Sequence, residues 1–289
     1  MNSQKIAILT DSCADLTPEL IGSAPIYVVP LKIHCPDGEF DDGVTIHAKD
    51  IYARQAMGQL PKTSLPTGEA VEGVLDRIRA DGYEKIIAIM LSSGLSGTYN
   101  LVRLLGESLE DGLEMKVYDS LSGALGQGMI VLQVAEDVEQ GMGWEELTQK
   151  RVPRLIENTF PFFSVDTLEY LMKGGRIGKV TAMAGALLSI KPIIGFAGDG
   201  QLLSVAKVRG RKAVAEKLRE MVRKHLGQHK KFNLAVANGG APEEMAALRA
   251  KMEGEFPGFD HFWQAEIDAT LSVYIGSGIL GAAVMVLDD

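Results

Sequence analysis

The chain has 289 residues, room for one large domain or two modest ones. Its hydrophobic content of 46% supports a full core, and a net charge of −9 speaks against nucleic acid as a partner. Two cysteines, Cys13 and Cys35, make no disulfide framework and no metal pattern, so they read as buried or partly buried thiols in a reducing compartment.

The first residues, Met1 to Lys5, lead straight into a strand over Lys5 to Thr10, with no secretory segment. Thr17 is placed to cap a helix that Pro18 opens. Ile26 to Ile33 reads as a second strand, interrupted by Pro30, and Asp37-Gly38 as a turn. A helix from about His47 to Met57 follows. The two prolines in Pro61 to Gly68 exclude helix there, and Thr67 caps a helix reaching Ala80, with Glu69 and Glu72 in its first turns. Ile86 to Leu91 is a buried strand and Asn100 to Leu109 a helix, with Met115 to Tyr118 and Ser122 to Glu139 as the next strand and helix. This alternation implies a mostly parallel sheet flanked by helices.

Trp144 to Glu157 reads as a helix crossing between two lobes, placing the boundary at 1–157 and 158–289. In the second lobe, Phe160 to Val165 is a strand, and Asp166 to Lys173 a short helix stopped by Gly174-Gly175. Val180 to Ser189 is a small-residue helix. Pro192 to Phe196 and Leu202 to Val208 pair around Gly198-Asp199-Gly200. Arg211 to Leu226 and Pro242 to Glu253 are helices. Phe232 to Ala237, Phe259 to Glu266, Ser272 to Tyr274 and Ala282 to Leu287 are strands, giving a mixed sheet. The longest helical apolar stretch, Ala182 to Ile190, stops at Lys191-Pro192 and is too short to span a bilayer. The expected class is a two-lobed α/β protein of the cytoplasm.

The stretch most suited to a ligand is Leu91 to Tyr99, a strand-to-helix turn with three serines, two glycines and a threonine. Such turns lie at the carboxyl end of a strand, where ligands bind in open α/β sheets, and hydroxyls beside a helix start suit an anion. The same residues are also good helix caps. The turn has no Gly-Lys-Ser/Thr ending, and Ser93 to Gly97 is one residue out of step with Gly-x-Ser-x-Gly. A second hydroxyl cluster is Thr63-Ser64. Arg209 and Arg211 form a basic patch with Lys207 and Lys212.

The ordered set of motifs resembles the DegV family, fatty-acid-binding proteins that include the B-type subunits of bacterial fatty acid kinase. It comprises Thr10-Asp11-Ser12, Val29-Pro30-Leu31, Lys62 to Thr67, Leu91 to Tyr99, Leu168 to Ile177, Lys191-Pro192 and Gly276-Ser277-Gly278, nearly end to end. The resemblance implies two α/β lobes with an acyl chain between them. It implies a carrier, not a catalyst, which presents the carboxylate of a long-chain fatty acid to a separate ATP-dependent fatty acid kinase. It implies that Thr63 and Ser93 meet the carboxylate, with Ser64 and Ser96 as second choices; the residues themselves show no metal cluster and no nucleotide fingerprint, so no cofactor or metal is expected. It places Arg176 near the ligand entrance, where guanidinium suits a phosphate or the kinase partner, and Arg209 is a second candidate for docking that partner. One departure stands out. Where the family often has His-x-Gly-Pro-Gly, this chain has Tyr274-Ile275-Gly276-Ser277-Gly278. Tyrosine donates a hydrogen bond but stays neutral near pH 7, with an ordinary pKa of about 10; Tyr274 reads equally as a ligand donor or a core aromatic on a strand. Ala182, Met183, Ala186, Leu187, Ile190, Ile193, Ile194 and Phe196 are candidates for the walls of an apolar tunnel.

The competing reading is the substrate-binding subunit of a dihydroxyacetone-kinase-like phosphotransferase. It calls for a histidine in a Gly-rich turn, and none of His34, His47, His225, His229 and His261 lies in one. A serine hydrolase using Ser93 or Ser96 lacks a histidine base in the same way.

Overall fold

A computed structural model describes residues 2–109, 112–183 and 190–288. A four-stranded parallel sheet is built from β1 (Ile6–Asp11), β2 (Ile26–Val29), β6 (Lys85–Met90) and β7 (Glu114–Asp119), in the order β2-β1-β6-β7. Every residue of β1 is buried, as expected of a central parallel strand with both faces covered. Pro30 does more than interrupt the second strand. It ends β2, and β3 (Lys32–Cys35) leaves for a separate antiparallel sheet, β4-β3-β5, with β4 (Gly38–Asp41) and β5 (Lys62–Ser64). The expected single strand 26–33 is therefore two strands in two sheets, because proline cannot donate to a ladder.

Helices α1 (Pro18–Ile21), α2 (Ala48–Ala56), α3 (Gly68–Ala80) and α4 (Thr98–Glu107) connect these strands. Thr17 and Thr67 cap α1 and α3 as their sequence positions suggest, accepting from Leu20 N and Ala70 N. Helix α5 (Leu125–Glu139) is buried nearly all round, because it runs between two sheets. Next, α6 (Trp144–Glu146), a π turn (Leu147–Arg151) and α7 (Val152–Glu157) form one helical stretch. The wide turn lies just before Pro153, whose missing N–H breaks the regular ladder.

The second sheet has six strands in the order β10-β9-β8-β13-β11-β12. These are β8 (Thr159–Ser164), β9 (Ile190–Phe196), β10 (Leu202–Arg209), β11 (Phe232–Gly239), β12 (Phe262–Glu266) and β13 (Ile279–Val286). Only the β11–β12 pair is parallel. Helices α8 (Glu169–Lys173), α9 (Val214–Leu226), α10 (Pro242–Glu255) and α11 (Ala269–Ile275) complete the chain. A short 3-10 helix occupies Gly178–Met183, where the sequence suggested the start of a longer helix. The tunnel candidates Ala186 and Leu187, and the side chains of Ala182 and Met183, lie outside the described residues.

Ser272 to Tyr274 is not a strand. It lies within α11, because Asp268 caps this helix by accepting from Leu271 N at 2.8 Å. One core cluster runs from Ile6 and Ile87 through Met129 of α5 to Ile194, Ala237 and Met285, so both sheets share the apolar interior that α5 fills. No helix among the described residues is long and apolar enough to cross a membrane.

Candidate ligand-binding site

A cavity of about 330 Å³ lies between α5, the six-stranded sheet and α11. Its walls are almost wholly apolar: Phe162, Phe163, Ala235, Ala237, Leu271 and Ala283 are representative. The small residues come from β11 and β13, paired neighbours in the sheet, with Ala235 directly opposite Ala283. Of the earlier tunnel candidates, Phe196 lines this cavity; Ile193 and Ile194 are buried on β9 but do not face it.

Six of the lining residues carry polar side chains: Thr63, Ser64, Ser96, Arg176, Thr270 and Tyr274. Thr63 stands on β5 and Tyr274 on α11, and their hydroxyls are 2.6 Å apart. The Arg176 guanidinium lies over the Tyr274 ring at 4.9 Å from its centroid. Its Nη1 donates to Gly174 O at 2.8 Å and its Nε to Leu95 O at 3.4 Å. Among the described residues it has no carboxylate partner, so its charge remains available to an anion. Ser96, next to Leu95, shares a hydrogen bond with the Thr98 hydroxyl at 2.9 Å. Ser64 is exposed and bonds His34 Nε2 at 2.9 Å. A second cavity of about 300 Å³ adjoins the first, sharing Thr63, Arg176 and Tyr274 and adding Lys62 and Lys173. Lys173 is ion-paired with Glu169 at 2.5 Å, so Lys62 and Arg176 give the polar end its cationic mouth.

The serines of the 91–99 turn divide by position. Ser92 is buried and donates to Gly200 O at 2.8 Å, which ties the turn to the hairpin between β9 and β10. Ser93 is exposed, is not among the cavity's lining residues, and offers its backbone N–H to Asp119 at 3.1 Å. Ser96 reaches the cavity. Gly94 is pressed so close to the hairpin that an added Cβ would lie 2.4 Å from Gly200 C, so only glycine fits there.

Arg209 is exposed at the end of β10 and lines neither cavity. Its neighbour Arg211 is engaged, with Nε 2.9 Å from Glu244 and Nη1 2.5 Å from Gly278 O. Sequence reasoning did not foresee Thr270, whose hydroxyl is buried without a hydrogen-bond partner on the cavity wall. With α11 read as a strand, its orientation could not be followed. Nor was the Thr63–Tyr274 bond visible, since the two residues are 211 positions apart.

A family model described as "Uncharacterised protein, DegV family" matches residues 5–287. A DegV domain-containing protein of Clostridium acetobutylicum is 36% identical over 281 residues, covering 97% of this chain and 99% of the relative. A fatty-acid-binding DegV family protein from Thermus thermophilus superposes with a TM-score of 0.91 at 28% identity, covering 99% of this chain and all of that one. DegV of Bacillus subtilis, a fatty acid binding protein, superposes with a TM-score of 0.87 at 27% identity, with coverage of 99% and 100%. The chain belongs to the DegV family.

Proposed function

We propose that this protein binds a long-chain fatty acid, with the acyl tail in the apolar cavity and the carboxylate at its polar end. The observation that carries this reading is the asymmetry of the cavity. Its walls are hydrocarbon-like, and one end holds the Thr63–Tyr274 hydroxyl pair, Ser96 and Arg176, which has no carboxylate partner among the described residues. A carboxylate leaving water needs several donors, and a charged donor is the most effective. The solved relatives described as fatty acid binding proteins support the same ligand class.

In this reading the Thr63–Tyr274 hydroxyl pair gives one proton to the carboxylate and Ser96 another, Arg176 balances its charge, and Ser64 stands at the rim. Ser93 is assigned no direct contact, because it is exposed outside the cavity wall. The protein acts as a carrier in the cytoplasm, with residues 1–157 and 158–289 as its two lobes. It presents the head group through the cationic mouth to a separate ATP-dependent kinase. Arg176 is central to that mouth, and the exposed Arg209 is a peripheral docking contact.

No observation favours the phosphotransferase alternative. His34 bonds Ser64, His225 packs between Phe160 and Phe162, His229 pairs with Asp288 and His261 with Glu136. None of these, nor His47, lines either cavity.

Native mass spectrometry of the purified protein, followed by solvent extraction and lipid analysis, tests the proposal. A long-chain acid at about one per chain is the expected result. A lipid-free protein that also takes up no fatty acid when offered it would overturn the carrier reading.

A further inference from the structure

Beside the turn that follows β1, four carboxyl groups and a thiol lie together: Asp11, Cys13, Asp15, Asp42 and Asp268. The Cys13 sulfur and carboxylate oxygens of Asp42 and Asp268 lie within 4.8 Å of one another. Asp11 and Cys13 are fully buried, and Asp42 and Asp15 retain 2% and 5% exposure. No Lys, Arg or His is hydrogen-bonded or ion-paired to these carboxyls among the described residues. Asp11 accepts from Leu91 N at 2.7 Å and Cys13 N at 3.0 Å. Asp42 accepts from Ser12 Oγ at 2.8 Å and Ala269 N at 3.0 Å, using both its oxygens.

Asp15 and Asp268 are different. Asp15 Oδ1 accepts from Asp268 N at 2.8 Å, and Asp268 Oδ1 accepts from Leu271 N at 2.8 Å. Their remaining oxygens, Oδ2 of each, are buried without a donor. Because Asp15 Oδ1 holds the Asp268 backbone N–H, the two carboxyl groups are close neighbours. Two ionised carboxylates in that position are each missing a donor and repel one another in a low-dielectric interior. One proton between them satisfies both orphan oxygens. A metal ion is a poorer neutraliser here. Both Asp42 oxygens already accept hydrogen bonds, and burial, reinforced by the surrounding carboxylates, holds the Cys13 thiol well above its ordinary pKa.

The place of this pair in the fold gives it a consequence. Asp15 sits in a left-handed conformation in the turn after β1, with φ 54°. Asp268 is the N-cap of α11, the helix that carries Thr270, Leu271, Tyr274 and Ile275 on the cavity wall. We propose that Asp15 and Asp268 form a proton-sharing positioning pair, which fixes α11, and through it Tyr274, against the cavity while the shared proton is present. The ligand part of this inference rests on the fatty acid reading above.

Burial pushes Asp15 from 3.8 up to about 7, and pushes Asp268 well above 3.8, with the nearby Asp42 and Asp15 charges adding to it. The other titratable groups around the pair are Asp11, Cys13 and Asp42, and Tyr52 from α2, whose hydroxyl bonds Ser272 at 2.8 Å and which Glu266 from β12 faces in turn. All of them are acids, so none supplies a compensating positive charge. The folded protein holds the shared proton to higher pH than the unfolded chain does. The stabilisation is therefore fully present below the ordinary carboxyl range and falls as pH rises through the raised pair, Asp15 at about 7 and Asp268 well above its ordinary 3.8.

The test is the melting temperature of ligand-stripped protein between pH 5.5 and 8.5, for the wild type, Asp268→Asn and Asp15→Asn. Asparagine at 268 keeps the capping oxygen and supplies an N–H in place of the proton. The wild-type melting temperature is expected to fall with pH across this range more steeply than that of Asp268→Asn, which keeps only the background slope of the buried Asp11, raised to about 6. Parallel curves for the wild type and both variants would overturn the pair. The second readout is dissociation of bound cis-parinaric acid. A one-unit difference in the pair's pKa between the fixed and released helix gives about a fivefold faster release at pH 8.5 than at pH 6. Asp268→Asn should lack that change, and comparing the two proteins removes the probe's own titration. A wild-type rate no more pH-dependent than the variant's would overturn the positioning role. A stoichiometric metal in the purified protein, whose removal by chelation lowers the melting temperature, would overturn the shared proton. If no fatty acid binds at any pH, the carrier reading fails, and the melting curves still decide whether the proton is shared.

Discussion

The hydroxyls of Thr63 and Tyr274 lie 2.6 Å apart, joining strand β5 to helix α11 at the polar end of the cavity. One of the two must donate to the other, which leaves a single hydroxyl proton from the pair for a ligand carboxylate. Arg176, stacked on the Tyr274 ring, supplies the charge that a neutral tyrosine does not.

Tyr274→Phe keeps the ring under Arg176 and removes only the hydroxyl. Fatty acid affinity is expected to fall by about 1 kcal/mol, about fivefold, with little change in melting temperature. Thr63→Ala should cost a similar amount. Because the two hydroxyls act together, the double variant should lose clearly less than the sum of the single losses. Fluorescent fatty acid titration reads all three, and strict additivity would separate the two residues.

Arg176→Ala tests whether the cation reads the head group. An interaction with a charged partner is worth about 2 kcal/mol, so binding of the acid should weaken by one to two orders of magnitude. Binding of the fatty alcohol of equal length should be nearly unchanged. Equal losses for acid and alcohol would mean that Arg176 holds the wall of the site and not the charge.

The two serines of the 91–99 turn offer a direct comparison. Ser96 lines the cavity and Ser93 is exposed outside it. Ser96→Ala should therefore weaken fatty acid retention by about 1 kcal/mol, while Ser93→Ala leaves it within about 0.5 kcal/mol of wild type. The reverse order would bring Ser93 back to the carboxylate.

How far the sequence reveals this site depends on the range of the interaction. The strand and turn around Ile86 to Tyr99 are legible because a continuous apolar run meets a Ser/Gly cluster, both local signals. The caps at Thr17 and Thr67 are legible for the same reason. Which serine faces the cavity is not, because a turn has no fixed period; here the turn is anchored by the close approach of Gly94 to Gly200. Val273-Tyr274-Ile275 resembles a strand in composition, and its helix depends on the Asp268 cap and on packing against α2 and α8. The buried carboxyls could not be anticipated, since Asp15 and Asp268 come together only in the folded chain.

Gly94 also offers a test of the turn's anchoring. Gly94→Ala places a methyl group 2.4 Å from the Gly200 backbone, where no flexible side chain can yield. The expected cost is about 2 kcal/mol of stability, read as a lower melting temperature. Fatty acid retention should fall with it, because Leu95 and Ser96 move with the turn. Gly43→Ala provides the contrast: an added Cβ there meets nothing within 4 Å, so backbone strain at its φ of +71° acts without a clash and away from the cavity. It should lower the melting temperature modestly and leave retention unchanged.

The far wall of the cavity should set the length of chain that is accepted. Ala235 and Ala237 on β11 and Ala283 on β13 keep this part of the sheet low, and their methyl groups offer a ligand no polar contact. Length is then a matter of volume in a close-packed interior. Ala237→Leu adds three carbons to the wall and should shorten the longest acid retained by about three carbons. The change should appear in the lipids extracted from the purified variant, and in a competition series from C12 to C20. The short acids should bind as they do to the wild type, because the head-group end is untouched. A variant that keeps the wild-type length profile would place the tail elsewhere than between α5 and the six-stranded sheet.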